Sequence, residues 1–212
     1  MPITRYAKCC YDLLKNMDER GKRTWANQIK ELLMKYGFGL IWFEQGVGDV
    51  HAFVIQFKQR LKDCCQQEWY RTMHDQSKLS VYCTFKTLLE PEKYIYCLNS
   101  RKHMSAVARF RCSSHKLQIE QGRHSGTLLE NRLCKFCEAS DKIVIEDEFH
   151  FLLMCPVYDK IREMYIPYEY RQNVIYEKFI RIMTTDCEDI IRNLACYLVQ
   201  ANHLRQQMLQ GL

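Results

Sequence analysis

Apolar residues along this chain recur mostly at three- and four-residue intervals, the period of helices that bury one face. Ile3, Tyr6, Ala7, Cys10, Leu13, Leu14 and Met17 follow that period, and Gly21 marks the end of the first helix. A second helix is expected from Thr24, a suitable N-cap, through Trp25, Ile29, Leu32, Leu33 and Tyr36 to Gly37. Residues 38–48 mix three glycines with Phe38, Leu40, Ile41, Trp42 and Phe43 and read as an ordered, partly buried connection. Asp49 can cap a long helix carrying Phe53, Val54, Phe57, Leu61, Cys64 and Trp69, expected as the central member of a bundle. Helices should follow over 80–89 and from Pro91, which suits a first helical position, to about Ser100.

Residues 101–111 form a basic helix, with Ala106, Val107 and Phe110 on its apolar side. Leu117 and Ile119 then alternate with polar residues before Gly122 and Gly126, which predicts an extended arm. The β-branched run Ile143, Val144 and Ile145 predicts a short strand. Glu146, Asp147 and Glu148 place negative charge where the positive end of a following helix would lie. Helices from Pro156 to Pro167, over 173–183 and over 187–209 complete the chain. The expected fold is mainly α: a helical bundle with a small knuckle of short strand plus helix embedded in it. Four stretches are distinguished: a helical region 1–100, the basic helix and arm 101–131, the knuckle 132–158, and C-terminal helices 159–212.

Composition supports a packed chain. In 212 residues, 47% are hydrophobic, while only 8 are Gly and 4 are Pro, so disorder is not expected. No apolar run approaches the ~18 residues of a membrane span, and the N-terminus lacks the continuous apolar stretch of a secretory signal. An intracellular, reducing location is therefore expected, nuclear and cytoplasmic both being open. There the 12 cysteines are thiols or metal ligands rather than a disulfide framework.

The candidate chemistry lies in residues 132–158, where Cys134, Cys137, His150 and Cys155 stand as C-x2-C-x12-H-x4-C. A Cys-x-x-Cys turn can aim two thiolates at one point, and a later His and Cys complete the tetrahedron that Zn2+ takes in closed structural sites. One structural Zn2+ is the expected cofactor, with an apolar cysteine cluster as the alternative. On a regular helix His150 and Cys155 would be roughly 140° apart, so the helix must end or bend between them. Pro156 helps, because the residue before a proline is pushed out of the α region. The ββα finger fits poorly: its core aromatic and aliphatic positions hold Asp141 and Asp147. The adjacent pairs Cys9 with Cys10 and Cys64 with Cys65 read as core thiols, since neighbours on a helix diverge by about 100°.

Charge is concentrated just ahead of this motif. From Ser100 to Lys135 eight basic residues face two acidic ones, a surplus equal to the +6 of the whole chain. A basic segment entering a zinc module suits a surface that meets phosphates. The candidate nucleic-acid-binding residues are Arg101, Lys102, Arg109, Arg111, His115, Lys116, Arg123, Arg132 and Lys135, with Phe136 for stacking on an unpaired base. Arg132 and Lys135 could instead offset the negative charge of three thiolates on one Zn2+.

The runs AVARFRCSSHKLQIEQGRH (106–124), RLCKFC (132–137) and IEDEFHFLLMCPVY (145–158) resemble the region downstream of the reverse transcriptase domain in animal non-LTR (LINE-type) retrotransposon polyproteins. That resemblance implies zinc ligation by Cys134, Cys137, His150 and Cys155 after a polymerase thumb, with Arg109, Arg111, His115, Arg123 and Arg132 at the basic positions beside the knuckle. It also implies RNA or DNA as partner through residues 101–136, and a reverse transcriptase encoded elsewhere as a possible second partner. The chain contains no Asp-Asp pair of the kind a polymerase palm uses to hold its metal ions. No enzyme activity is expected. The competing readings are a helical protein-interaction or structural module whose zinc is purely structural, and a non-functional relic of such an element.

Overall fold

The computed structural model describes residues 6–211. The start of the first helix expected at Ile3 lies outside the described residues. Among the described residues thirteen α-helices follow one another, and there is no extended sheet. The chain divides into two compact units, Met1–Tyr70 and Arg71–Leu212. This boundary falls well ahead of residue 100, because the helices over 80–100 share the core of the second unit.

The first unit contains α1 (Tyr6–Glu19), α2 (Trp25–Lys35), α3 (Gly39–Glu44) and most of α4 (Val50–His74). Thr24 caps α2 as expected, its hydroxyl accepting the Asn27 N–H. Asp49 likewise caps α4, accepting the N–H groups of His51 and Ala52. Ala26, Leu33 and Trp42 form a small core, against which Phe38, Phe53 and Phe57 pack edge-on and stacked. Residues 39–44 are helical rather than a plain connection, with Ile41 and Trp42 turned inward and Leu40 and Phe43 left outside.

α4 is not the central helix. Of its 25 residues only Met73 is buried, and Val54 and Ile55 are exposed. Cys9, Cys10 and Cys65 are exposed too, and Cys64 is half-buried, so these pairs are not core thiols. Helical period assigns an apolar residue to a face of its helix; it does not say that a partner covers that face.

The second unit continues with α5 (Ser80–Phe85), α6 (Tyr94–Cys97), α7 (Arg101–Arg111), α8 (Gln118–His124), α9 (Lys135–Glu138), α10 (Asp159–Tyr165), α11 (Tyr168–Arg171), α12 (Tyr176–Met183) and α13 (Glu188–Gln210). α13 is its axis, packed against α6, α7, α10 and α12. Ile191, Leu194, Ala195, Tyr197, Leu198 and Ala201 give it a buried stripe at three- and four-residue intervals. Cys134, Cys137 and Cys155 belong to the same core, so the knuckle is embedded in the helical body.

Three local expectations change. The helices expected over 80–89 and from Pro91 to about Ser100 shorten to α5 and α6, and Pro91 lies outside both. The arm after α7 is not extended throughout, because residues 118–124 form α8. The Glu146 carboxylate accepts the Gln118 N–H at its start, and the Glu146 carbonyl accepts the Ile119 N–H. The strand expected at 143–145 is reduced to a single antiparallel bridge between Leu133 and Ile145. It is framed by Cys134 N–H to Val144 O at 2.8 Å and Glu146 N–H to Arg132 O at 3.0 Å. Pairing stops there because Cys134 already opens α9.

Candidate metal centre

The bridge and α9 position the first two ligands. Cys134 leaves the bridge, and Cys137 lies three residues on in the one-turn helix, which brings both thiols to one side. The other two come from the segment after the acidic run. Asp147 accepts the His150 N–H at 2.7 Å and so caps the turn that carries the imidazole.

His150 and Cys155 are reconciled by a widened turn. Residues 150–154 are π-helical, and the Cys155 N–H reaches back five residues to the His150 carbonyl at 2.7 Å. Such a wide turn brings residues five apart to neighbouring positions on one face, which a regular α-helix cannot do. Cys155 is then extended, with φ −67° and ψ 122°, as a residue before proline should be.

All four side chains are buried, and their donor atoms lie within 4.8 Å of one another. The Cys134 and Cys155 sulfurs are 3.9 Å apart, and those of Cys137 and Cys155 4.0 Å. The Cys137 sulfur is 3.4 Å from His150 Nε2. These three cysteines are free thiols, and the group could hold a metal ion. Crowding sets their acidity apart. The Cys134 thiol is pulled down chiefly by a hydrogen bond from Cys155, with a further contribution from His150. Cys155 is pushed far up by its hydrogen bond to Cys134 and by burial, and Cys137 is pushed up by burial and the Cys134 charge. Without a cation among them the sulfurs do not share the charged state. A cation removes that conflict, because it binds thiolates.

The surroundings lock the ligands to the rest of the unit. Arg162 donates to the carbonyls of Leu152 and Cys155, both at 2.8 Å. Tyr197 Oη donates to the Phe151 carbonyl at 2.6 Å. Arg205 grips both oxygens of Glu146, and His115 and Ser113 share one oxygen of Glu148. Burial pushes the Glu148 carboxyl up, but these two partners hold it below its ordinary value. Arg162, Tyr197 and Arg205 carried no motif in the sequence; the only signal was a charge or a phenol on the apolar face of a helix.

The ten candidate nucleic-acid-binding residues separate into two sets. Arg101, Lys102, Arg109, Lys116 and Lys135 are exposed. The other five are used internally. Arg111 is buried, pairs with Glu92, donates to the Met183 carbonyl and lies over the Phe85 ring. His115 pairs with Glu148 and Arg123 with Glu120. Arg132 donates to the carbonyls of Thr127 and Ile119, both at 3.0 Å. Phe136 is buried edge-on against Tyr158, so it is a core residue and not a stacking platform.

Compared with models of known protein families, with curated proteins and with solved structures, the chain matches none of them.

Proposed function

We propose that this chain is a non-catalytic nucleic-acid-binding module whose second unit is stabilised by one structural zinc ion. The donor set of three thiols and one imidazole is the one Zn2+ takes in closed sites, leaving no open position for a substrate. With bonds of about 2.3 Å to sulfur and about 2.0 Å to nitrogen, a tetrahedron has sulfur–sulfur edges of about 3.8 Å and sulfur–nitrogen edges of about 3.5 Å. The separations of 3.9, 4.0 and 3.4 Å fit those edges. Cys134, Cys137, His150 and Cys155 would hold the ion, which would cross-link the bridge to the widened turn.

One observation carries the binding reading. Arg101, Lys102, Arg109 and Lys116 are exposed and form no ion pair among the described residues, whereas the neighbouring Arg111, His115, Arg123 and Arg132 are all engaged. Lys102 and Arg109 are seven residues apart on α7, which puts them within roughly 20° of one face. Phosphates supply the counter-charge that the fold withholds from this face. The likeness of residues 106–158 to the post-polymerase region of non-LTR retrotransposon proteins supports the same reading, as an appendage acting beside a reverse transcriptase encoded elsewhere.

The test is an anisotropy titration of the zinc-loaded chain with RNA and DNA at several salt concentrations. Four phosphate contacts give a slope of log affinity against log salt of about −3 to −4, and Arg109→Ala makes it shallower by about 1. A flat salt response refutes the reading. A protein-interaction module is the second reading, favoured by Ile143 within the knuckle at 83% exposure and Leu128 just ahead of it at 63%. It predicts a protein complex that salt does not dissociate.

A further inference from the structure

We infer that the preferred ligand is single-stranded nucleic acid, and that Tyr96 is the side chain on which one of its bases stacks. This rests on the phosphate-binding face of α7 proposed above and specifies what that face takes. The argument begins with the ring that cannot serve. Phe136, the aromatic next to the metal centre, is only 7% exposed and packs on Tyr158, so a base has no access to it.

Tyr96 is the opposite case. It is 71% exposed, and among the described residues its ring makes no aromatic contact and its hydroxyl no hydrogen bond. Its own helix is nevertheless anchored: α6 packs on both α7 and α13, and Leu98 just beyond it is buried at 5% exposure. A large ring is therefore held outward on a fixed backbone.

Cations flank that ring on both sides in sequence. The Tyr96 N–H donates to the Lys93 carbonyl at 3.0 Å, so Lys93 and Tyr96 stand one turn apart on the same side. Arg101 and Lys102 open α7 just beyond. Lys93, Arg101 and Lys102 are exposed and form no ion pair among the described residues. Tyr96 and Arg101 are five residues apart, at most about 18 Å even if the chain were fully extended, which a few nucleotides span.

An exposed ring flanked along the chain by unpaired cations distinguishes single strands from duplexes. In a duplex every base is already stacked on its neighbours, so the ring gains nothing there. An unpaired base offers a free face, and base–aromatic stacking is tolerant of sequence. The cations alone bind either form through phosphates.

The experiment uses the full zinc-loaded chain, with oligo-dT, oligo-U and a hairpin duplex of equal phosphate count as labelled probes. Single strands should bind more tightly than the hairpin. Tyr96→Ala should weaken single-strand binding about fivefold to a hundredfold and leave the hairpin within about twofold. Tyr96→Phe should restore the single-strand affinity, because stacking needs the ring and not the hydroxyl. An unchanged single-strand affinity for Tyr96→Ala, or an equal loss on the hairpin, overturns the assignment while leaving phosphate binding standing. Failure of the unaltered chain to bind any probe overturns both.

Discussion

Arg205, near the end of the chain, holds both carboxylate oxygens of Glu146 at 2.9 and 2.7 Å, and both residues are buried. The same carboxylate caps α8 through the Gln118 N–H at 2.8 Å. One ion pair thus joins the C-terminal helix, the basic segment and the residue that follows the bridge of the knuckle. Arg205→Met should destabilise the second unit by about 3–5 kcal/mol, since it leaves a buried carboxylate without its partner. The double variant Arg205→Met with Glu146→Gln should recover part of that loss, read from denaturant midpoints. Equal stability of all three proteins would show the pair to be idle.

Removing the metal should act on the second unit first. Cys155→Ser or His150→Ala should abolish binding of one Zn2+ per chain in native mass spectrometry, whereas Cys10→Ser should not. A chelator should loosen the core that contains Cys134, Cys137 and Cys155, while the Trp42 core of the first unit keeps its protection from hydrogen exchange. Collapse of both units together would show that they are not independent.

Alkaline pH should unfold the second unit through its buried phenols. Burial pushes the Tyr158 hydroxyl far above its ordinary value, with Glu146 adding to the rise, and Tyr197 is raised for the same primary reason. A group raised in the folded state contributes stability that is complete below its unfolded pKa of about 10 and is lost as pH climbs beyond it. Tyr158 Oη is buried without a hydrogen-bond partner. Tyr158→Phe should therefore be neutral or stabilising, by up to about 2 kcal/mol at neutral pH, and should delay the alkaline transition followed by circular dichroism.

Gly122 lies where Arg132 passes. A Cβ there would come within 2.5 Å of Arg132 Cγ and 2.7 Å of its Cδ. Gly122→Ala must displace an arginine whose guanidinium group ties down Ile119 and Thr127, and a loss of about 1–3 kcal/mol in thermal unfolding is expected.

The metal ligands were legible because their chemistry is written in residue type and spacing, and the four named from the sequence are the four that converge. Thr24 and Asp49 were legible as caps for the same reason. The basic surface was only half legible. Charge density along the chain could not separate Lys102, which points to solvent, from Arg111, which is spent on Glu92 and the Met183 carbonyl. Gly122 reads locally as a breaker, yet it sits inside α8, where the Arg132 side chain ten residues on leaves no room for a Cβ. The central role of α13 rather than α4 also depends on what covers each apolar stripe, which periodicity does not encode.

The five-residue step of the hydrogen bond from Cys155 back to His150 makes the length of that turn part of the metal chemistry. Deleting any one residue among 151–154 would restore ordinary helical winding while carrying one donor out of register with the other three. Insertions and deletions should therefore be far less tolerated there than between Cys137 and Ile145, since the bridge at Ile145 and the Asp147 cap fix only the last residues before His150. Among chains built on this plan, the count of four residues between the imidazole and the last thiol should vary least, even where the residues themselves change.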